Sequence, residues 1–164
     1  MIYYKIKRKP VLLAGMKERR EVRMVTEMTT KMKINKPAAE VFEAVADPEK
    51  MGNYWFSSGT SRVEAGKTIT WRYEEYGAEG VIHVKEVVEN EKIVFDWGET
   101  SVAMVFRPLN EGSTILEVTE SGFDENDPVV VEKLIDQKGG WTYMLSCLKA
   151  YLENGVSTLR ASMM

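Results

Sequence analysis

The sequence predicts an α+β domain in which one strongly curved antiparallel sheet wraps around a long C-terminal helix, with two short helices after the first strand. Three observations carry this reading. Apolar and polar residues alternate through a succession of short segments separated by turn signals such as "EAGK", "EYGAEG", "ENEK" and "NEGS". These connections are far shorter than the crossover of about a dozen residues that a parallel pair needs, so neighbouring strands are antiparallel. Finally, "DENDPVVVEKLIDQKGGWTYMLSCLKAYLENG" is the one stretch long enough to cover the dry face of such a sheet.

The elements follow in order. Residues 1–23 do not continue the pattern of the rest and form an N-terminal extension. It is read as an added strand or a loose arm, since termini are often poorly ordered, or as the product of a misplaced start codon. The second reading arises because Lys17–Val22 can be encoded by a purine run resembling a ribosome-binding site ahead of Met24. The domain proper is expected over residues 24–158, with residues 159–164 as a tail. From Thr26, Met28, Thr30, Met32 and Ile34 share one face of a half-buried strand. Pro37 and Pro48 each suit the first turn of a short helix, the second preceded by the N-cap candidate Asp47 and running to about Tyr54. About six strands are then expected after the two short helices, among them Ile69–Tyr73, Ile82–Val84, Ile93–Trp97, Val102–Phe106 and Thr114–Val118. The last helix takes Asp127 as N-cap, Pro128 in its first turn and Gly155 at its end.

At 164 residues the chain is one domain's worth and should bury about 70% of its unfolded surface. A net charge of −3 without long runs of one sign offers no nucleic-acid footprint; Lys5–Lys9 is a short basic stretch read as solvated. One cysteine, Cys147, excludes an internal disulfide framework and a multi-thiolate metal site, and its apolar setting points to a buried inert thiol. No segment approaches the roughly eighteen apolar residues of a membrane span, and "VLLAG" is too short for a signal-peptide core, so the protein is expected in the cytoplasm.

Residues that carry chemistry are few. His83, the single histidine, alternates to the solvent side. No metal-ligand spacing and no glycine-rich phosphate loop occurs, so no catalytic residue, metal or cofactor is assigned. Strict alternation would turn Glu86 inward; a bulge near Val87 would return it to water and spare the cost of an unpaired buried carboxylate. Gly139 and Gly140 interrupt the last helix just before Trp141, at about 1 kcal/mol each relative to alanine. They mark either a close crossing or kink of the helix, or the entrance of a cavity.

"INKPAAEVFEAVADPEKMGNYWF", "GVIHVKEVVENEKIVFDW" and above all "GGWTYMLSCLKAYLENG" resemble the activator-of-heat-shock-protein-90-ATPase homologue 1-like group of the SRPBCC, or START-like, superfamily. The resemblance spans roughly Thr26 to Gly155 and rests on a distributed pattern: Pro37, Val41 and Phe42; Asp47-Pro48 before Trp55-Phe56; Trp97; Gly140-Trp141 before Leu145 and Leu148. It implies the helix-grip fold, whose sheet grips the C-terminal helix around a hydrophobic cavity. It also implies a lipid-, flavonoid- or polyketide-like ligand.

The dry faces are rich in large side chains that either fill that space or line it. Candidates on the sheet side are Trp55, Trp71, Tyr73, Phe95, Trp97, Met104 and Phe106. Those on the helix are Gly140, Trp141, Met144, Leu145 and Leu148. The leading expectation is a binder of a small hydrophobic or aromatic molecule. Alternatives are a cyclase or aromatase, which would need Tyr73, Glu86 or His83 inside the cavity, and a chaperone-regulating module. The last ranks lowest, because the chain leaves no room for the additional domain of the eukaryotic activators.

Overall fold

The computed structural model describes residues 26–163; the expectations for residues 1–23 lie outside them. The chain forms β1 (Glu27–Ile34), α1 (Ala38–Ala46), α2 (Pro48–Met51), β2 (Ser58–Gly59), β3 (Thr68–Tyr73), β4 (Ala78–Val88), β5 (Lys92–Trp97), β6 (Thr100–Asn110), β7 (Ser113–Ser121) and α3 (Val130–Asn154), with a 3-10 turn at Glu74–Tyr76. Seven strands pair in the order β1-β7-β6-β5-β4-β3-β2, every pair antiparallel. This is the expected architecture, with the long helix last.

Alternation sets the faces. In β3, Ile69 and Trp71 are buried; in β5, Ile93 and Phe95; in β6, Val102, Met104 and Phe106. The opposite, wet face of the sheet carries ion pairs, such as Lys31 of β1 with Glu117 of β7 at 2.7 Å and Lys85 of β4 with Asp96 of β5 at 2.6 Å. At His83 the imidazole Nδ1 lies 2.8 Å from the Thr68 hydroxyl on that exposed side. The β4–β5 register slips between Val84 and Glu86, so the bulge exists slightly earlier than expected. Glu86 consequently faces water and meets Lys92 at 2.9 Å.

Local chemistry moves two boundaries. α2 ends at Met51 instead of continuing to Tyr54, because the Asn53 amide folds back onto the Glu49 and Lys50 carbonyls at 3.2 and 3.1 Å. Asp127 does not cap α3 directly. Its carboxylate accepts from the Val129 N–H at 2.9 Å and closes a turn, and the helix begins only at Val130.

β2 fits because it has no side chain where it passes Trp71. A Cβ on Gly59 would lie 3.0 Å from the indole Cδ1 and 3.3 Å from Pro48 Cβ, two rigid groups with little room to give. That approach locks the turn after α2 against the sheet and brings Tyr54, Trp55 and Phe56 under α3. The Tyr54 hydroxyl, fully buried, donates to the Ala44 carbonyl at 3.0 Å and ties this turn to α1.

Candidate functional site

Sheet and helix part company at one end of the molecule. There α3 carries Gly139 and Gly140, and the helix runs unbroken across both. A Cβ on either would meet no heavy atom within 4 Å, so the glycines are not forced by a close crossing. Beside Gly140 and Trp141 lies a cavity of about 230 Å³.

Its walls come from five places. The turn after α2 supplies Tyr54, Trp55 and Phe56; β3 and the turn beyond it supply Tyr73 and Tyr76; β5 ends in it with Trp97. From α3 come Gln137, Gly140, Trp141, Tyr143 and Met144, and Met163 closes one side. Tyr76 and Met163 are each about half exposed and form the rim.

The four tryptophans of the chain meet behind these walls. Trp55 sits at the centre, its ring 4.9 Å from Trp71, 5.5 Å from Trp141 and 6.0 Å from Trp97, centroid to centroid. Phe56 stacks on Trp71 at 5.2 Å, and Trp97 meets Trp141 edge-on at 5.8 Å. Such pairs contribute about 0.5–1.5 kcal/mol each beyond burial, so the back of the cavity is rigid.

The Trp141 indole is aimed by a buried acid. Its N–H donates to one Glu120 carboxylate oxygen at 2.6 Å, and the other oxygen lies 2.7 Å from the Thr100 hydroxyl. Glu120 is 1% exposed. It had not been singled out from the sequence, although the alternation of Thr114, Leu116 and Val118 in β7, carried two residues further, points it inward.

Six of the expected lining residues border this cavity: Trp55, Tyr73, Trp97, Gly140, Trp141 and Met144. Trp71, Phe95, Met104, Phe106, Leu145 and Leu148 do not; all are 2% exposed or less and are packed in the core. Phe106, for instance, meets Phe42 of α1 edge-on at 5.3 Å. Tyr54, Phe56, Tyr76, Gln137, Tyr143 and Met163 border the cavity without having been proposed. A second opening of about 260 Å³ shares Trp97 and Gln137 and is edged by Thr100, Glu120, Asp127 and Lys133.

The chemistry on offer is that of contact and hydrogen bonding. Burial raises the Tyr73 phenol above its ordinary 10.0, against the pull of the Ala161 backbone and the Arg160 charge, so it is a neutral donor at physiological pH. The Cys147 thiol is buried and pushed up by that burial. Neither His83 nor Glu86 reaches the cavity. Among the described residues no group of three acidic, histidine or cysteine side chains could hold a metal ion, and no helix is long and apolar enough to cross a membrane. The C-terminal residues are fastened near the rim: Arg160 donates to the Trp55 carbonyl at 3.1 Å and pairs with Glu75, and Tyr76 donates to the Met163 carbonyl at 2.8 Å.

Known proteins agree with this geometry. SSP2350 from Staphylococcus saprophyticus is 49% identical, with a TM-score of 0.73 over 80% of this chain and 94% of that one. DynU16, a protein of the dynemicin biosynthetic locus, is 22% identical, with a TM-score of 0.72 over 80% of this chain and 49% of its own. The Aha1 dimer from Colwellia psychrerythraea is 17% identical, with a TM-score of 0.69 over 80% and 98%. Among curated proteins there is no match. Residues 35–153 match the family described as Activator of Hsp90 ATPase homolog 1-like protein. With a helix-grip fold, a cavity beside Gly140-Trp141 and a family match over most of its length, the chain belongs to the Activator of Hsp90 ATPase homolog 1-like family.

Proposed function

We propose that this protein binds a small aromatic or hydrophobic molecule between the sheet and α3. The observation that carries the reading is the open cavity beside Trp141, walled by aromatic rings already packed against one another. A preformed apolar hollow with a few polar groups is the usual form of a small-molecule site.

Its size narrows the ligand. A cavity of about 150 Å³ holds benzene, and sites for drug-sized ligands run to about 300–1,000 Å³. At 230 Å³ this cavity suits one or two fused rings or a short acyl chain, and a full sterol would have to displace a wall. Gln137 and the Tyr73 phenol are polar groups available to orient it, and the Tyr143 hydroxyl, which donates to the Leu159 carbonyl, can still accept. DynU16, which shares this fold, is a protein of the dynemicin biosynthetic locus, a setting in keeping with small-molecule chemistry.

Because the four tryptophans form one cluster at the cavity, intrinsic fluorescence reports directly on occupancy. Titration with a panel of naphthols, flavonoids, fatty acids and sterols should give a saturable change with the two-ring or short-chain members, and Met144→Trp, which fills the hollow, should abolish it. Silence of the wild-type protein across the whole panel would overturn the proposal.

A further inference from the structure

The N-terminal half of α3 presents an apolar stripe that the described domain leaves bare. Val131 is 57% exposed and Ile135 68%. Lys138 continues the same stripe at the i, i+4, i+7 spacing, and its ammonium donates to the Thr29 carbonyl of β1. The stripe therefore looks toward β1, which is an edge strand bonded to β7 alone.

Helix and strand run side by side in the same direction. Lys138 is level with Thr29, the Lys149 ammonium reaches the Lys33 carbonyl at 2.8 Å, and Glu153 accepts from the Asn35 N–H at 2.6 Å. At about 3.3 Å per strand residue and 1.5 Å per helix residue, the three residues from Thr29 back to Thr26 match about seven back from Lys138. That is Val131. The bare stripe stands where the chain enters the sheet.

Charge points to the same place. The 25 residues before Thr26 hold eight basic and two acidic side chains, whereas the 139 that follow hold fourteen and twenty-three. Glu132 and Asp136, both exposed, flank the stripe, and exposed Asp124 and Glu125 lie just before the helix. The leading segment also carries the apolar residues Val11, Leu12, Leu13, Val22 and Met24. Twelve residues lie between Leu13 and Thr26, a reach of up to about 40 Å, so the tether is ample.

We infer that residues 11–25 of the same chain dock on this face, their apolar side chains against Val131 and Ile135 and their arginines against Glu132 and Asp136. The contact lies outside the aromatic cavity and does not depend on a ligand.

Amide exchange of the full-length chain, followed by mass spectrometry, tests it. Peptides covering 11–25 and 130–138 should both be protected in the wild-type protein. Ile135→Asp should speed exchange at least tenfold in both, as should the combined Arg19→Glu, Arg20→Glu and Arg23→Glu on the arm. The near-UV signal of the tryptophan cluster checks that each variant is folded. Exchange of residues 11–25 at unstructured rates in the wild type overturns the inference, as does a variant that alters only its own segment. Protection that disappears on dilution to submicromolar concentration would assign the face to a second copy and equally overturn it.

Discussion

Glu120 shows how much one side chain can decide. Thr100 has a single hydroxyl proton and two acceptors in reach, the Trp97 carbonyl at 2.9 Å and Glu120 at 2.7 Å, while the Trp141 N–H needs the remaining carboxylate oxygen. A glutamine satisfies the same set: its carbonyl accepts from the indole, its amide donates to Thr100, and Thr100 turns its proton to Trp97. Alanine leaves the indole N–H buried without an acceptor, at a cost of about 1–3 kcal/mol before the void is counted. Glu120→Gln should thus hold its melting temperature near wild type and keep the tryptophan near-UV signal, and Glu120→Ala should lose both. Equal losses in the two variants would mean that the acid does not hold Trp141 in place through these bonds. The residue was within reach of sequence reading, since period-2 alternation names it. A glutamate at the end of a strand nevertheless reads as solvated unless its partner, 21 positions away, is known.

At the scale of elements, periodicity carried most of the fold: the order, the antiparallel pairing and the dry face all follow from alternation and turn signals. It carried less of the site. Trp71, Phe95, Met104 and Phe106 share a face with Trp97, but whether a dry-face residue fills or lines depends on how far α3 stands off the sheet. That separation is a tertiary quantity with no period. Leu145 and Leu148 lie further along α3, where helix and sheet are in full contact. The paired glycines mark the change. Since neither has a positive φ or a neighbour within 4 Å, alanine is sterically free at both, and helix propensity then favours it by about 1 kcal/mol each. Gly139→Ala should raise the melting temperature, and Gly140→Ala should do so too while narrowing the cavity mouth. Thermal unfolding of the two single variants checks this, and a loss of stability in Gly139→Ala would reveal a contact that the open geometry excludes.

Over the whole molecule the charge pattern sets a pH window. The Arg62 guanidinium grips the Glu43 carboxylate with two hydrogen bonds, at 2.8 and 2.6 Å, and holds it below its ordinary 4.5; hydrogen bonding from Lys31, chiefly, does the same for Glu117 and from Lys149 for Glu153. A carboxylate depressed in the folded state adds stability that is full above its unfolded value and is lost as pH falls through the folded one. At the other end, burial pushes the Tyr54 phenol up from 10.0, so the stability linked to its neutral form is full below that value and declines as pH rises past it. The melting temperature should therefore be nearly flat between these two ordinary values and fall on both sides. Each ion pair is partly solvated, Glu43 and Arg62 being 36% and 40% exposed in their side chains, so each is worth only about 0.2–1 kcal/mol and the acid limb is their sum. Glu43→Gln combined with Glu117→Gln should lower stability at pH 7 by that small amount, and the wild-type and variant curves should converge as the pH falls below 4.5 and the wild-type carboxylates take up protons. A constant offset that persists through the whole acid limb would show that the two substitutions act through packing, leaving that limb to other carboxylates.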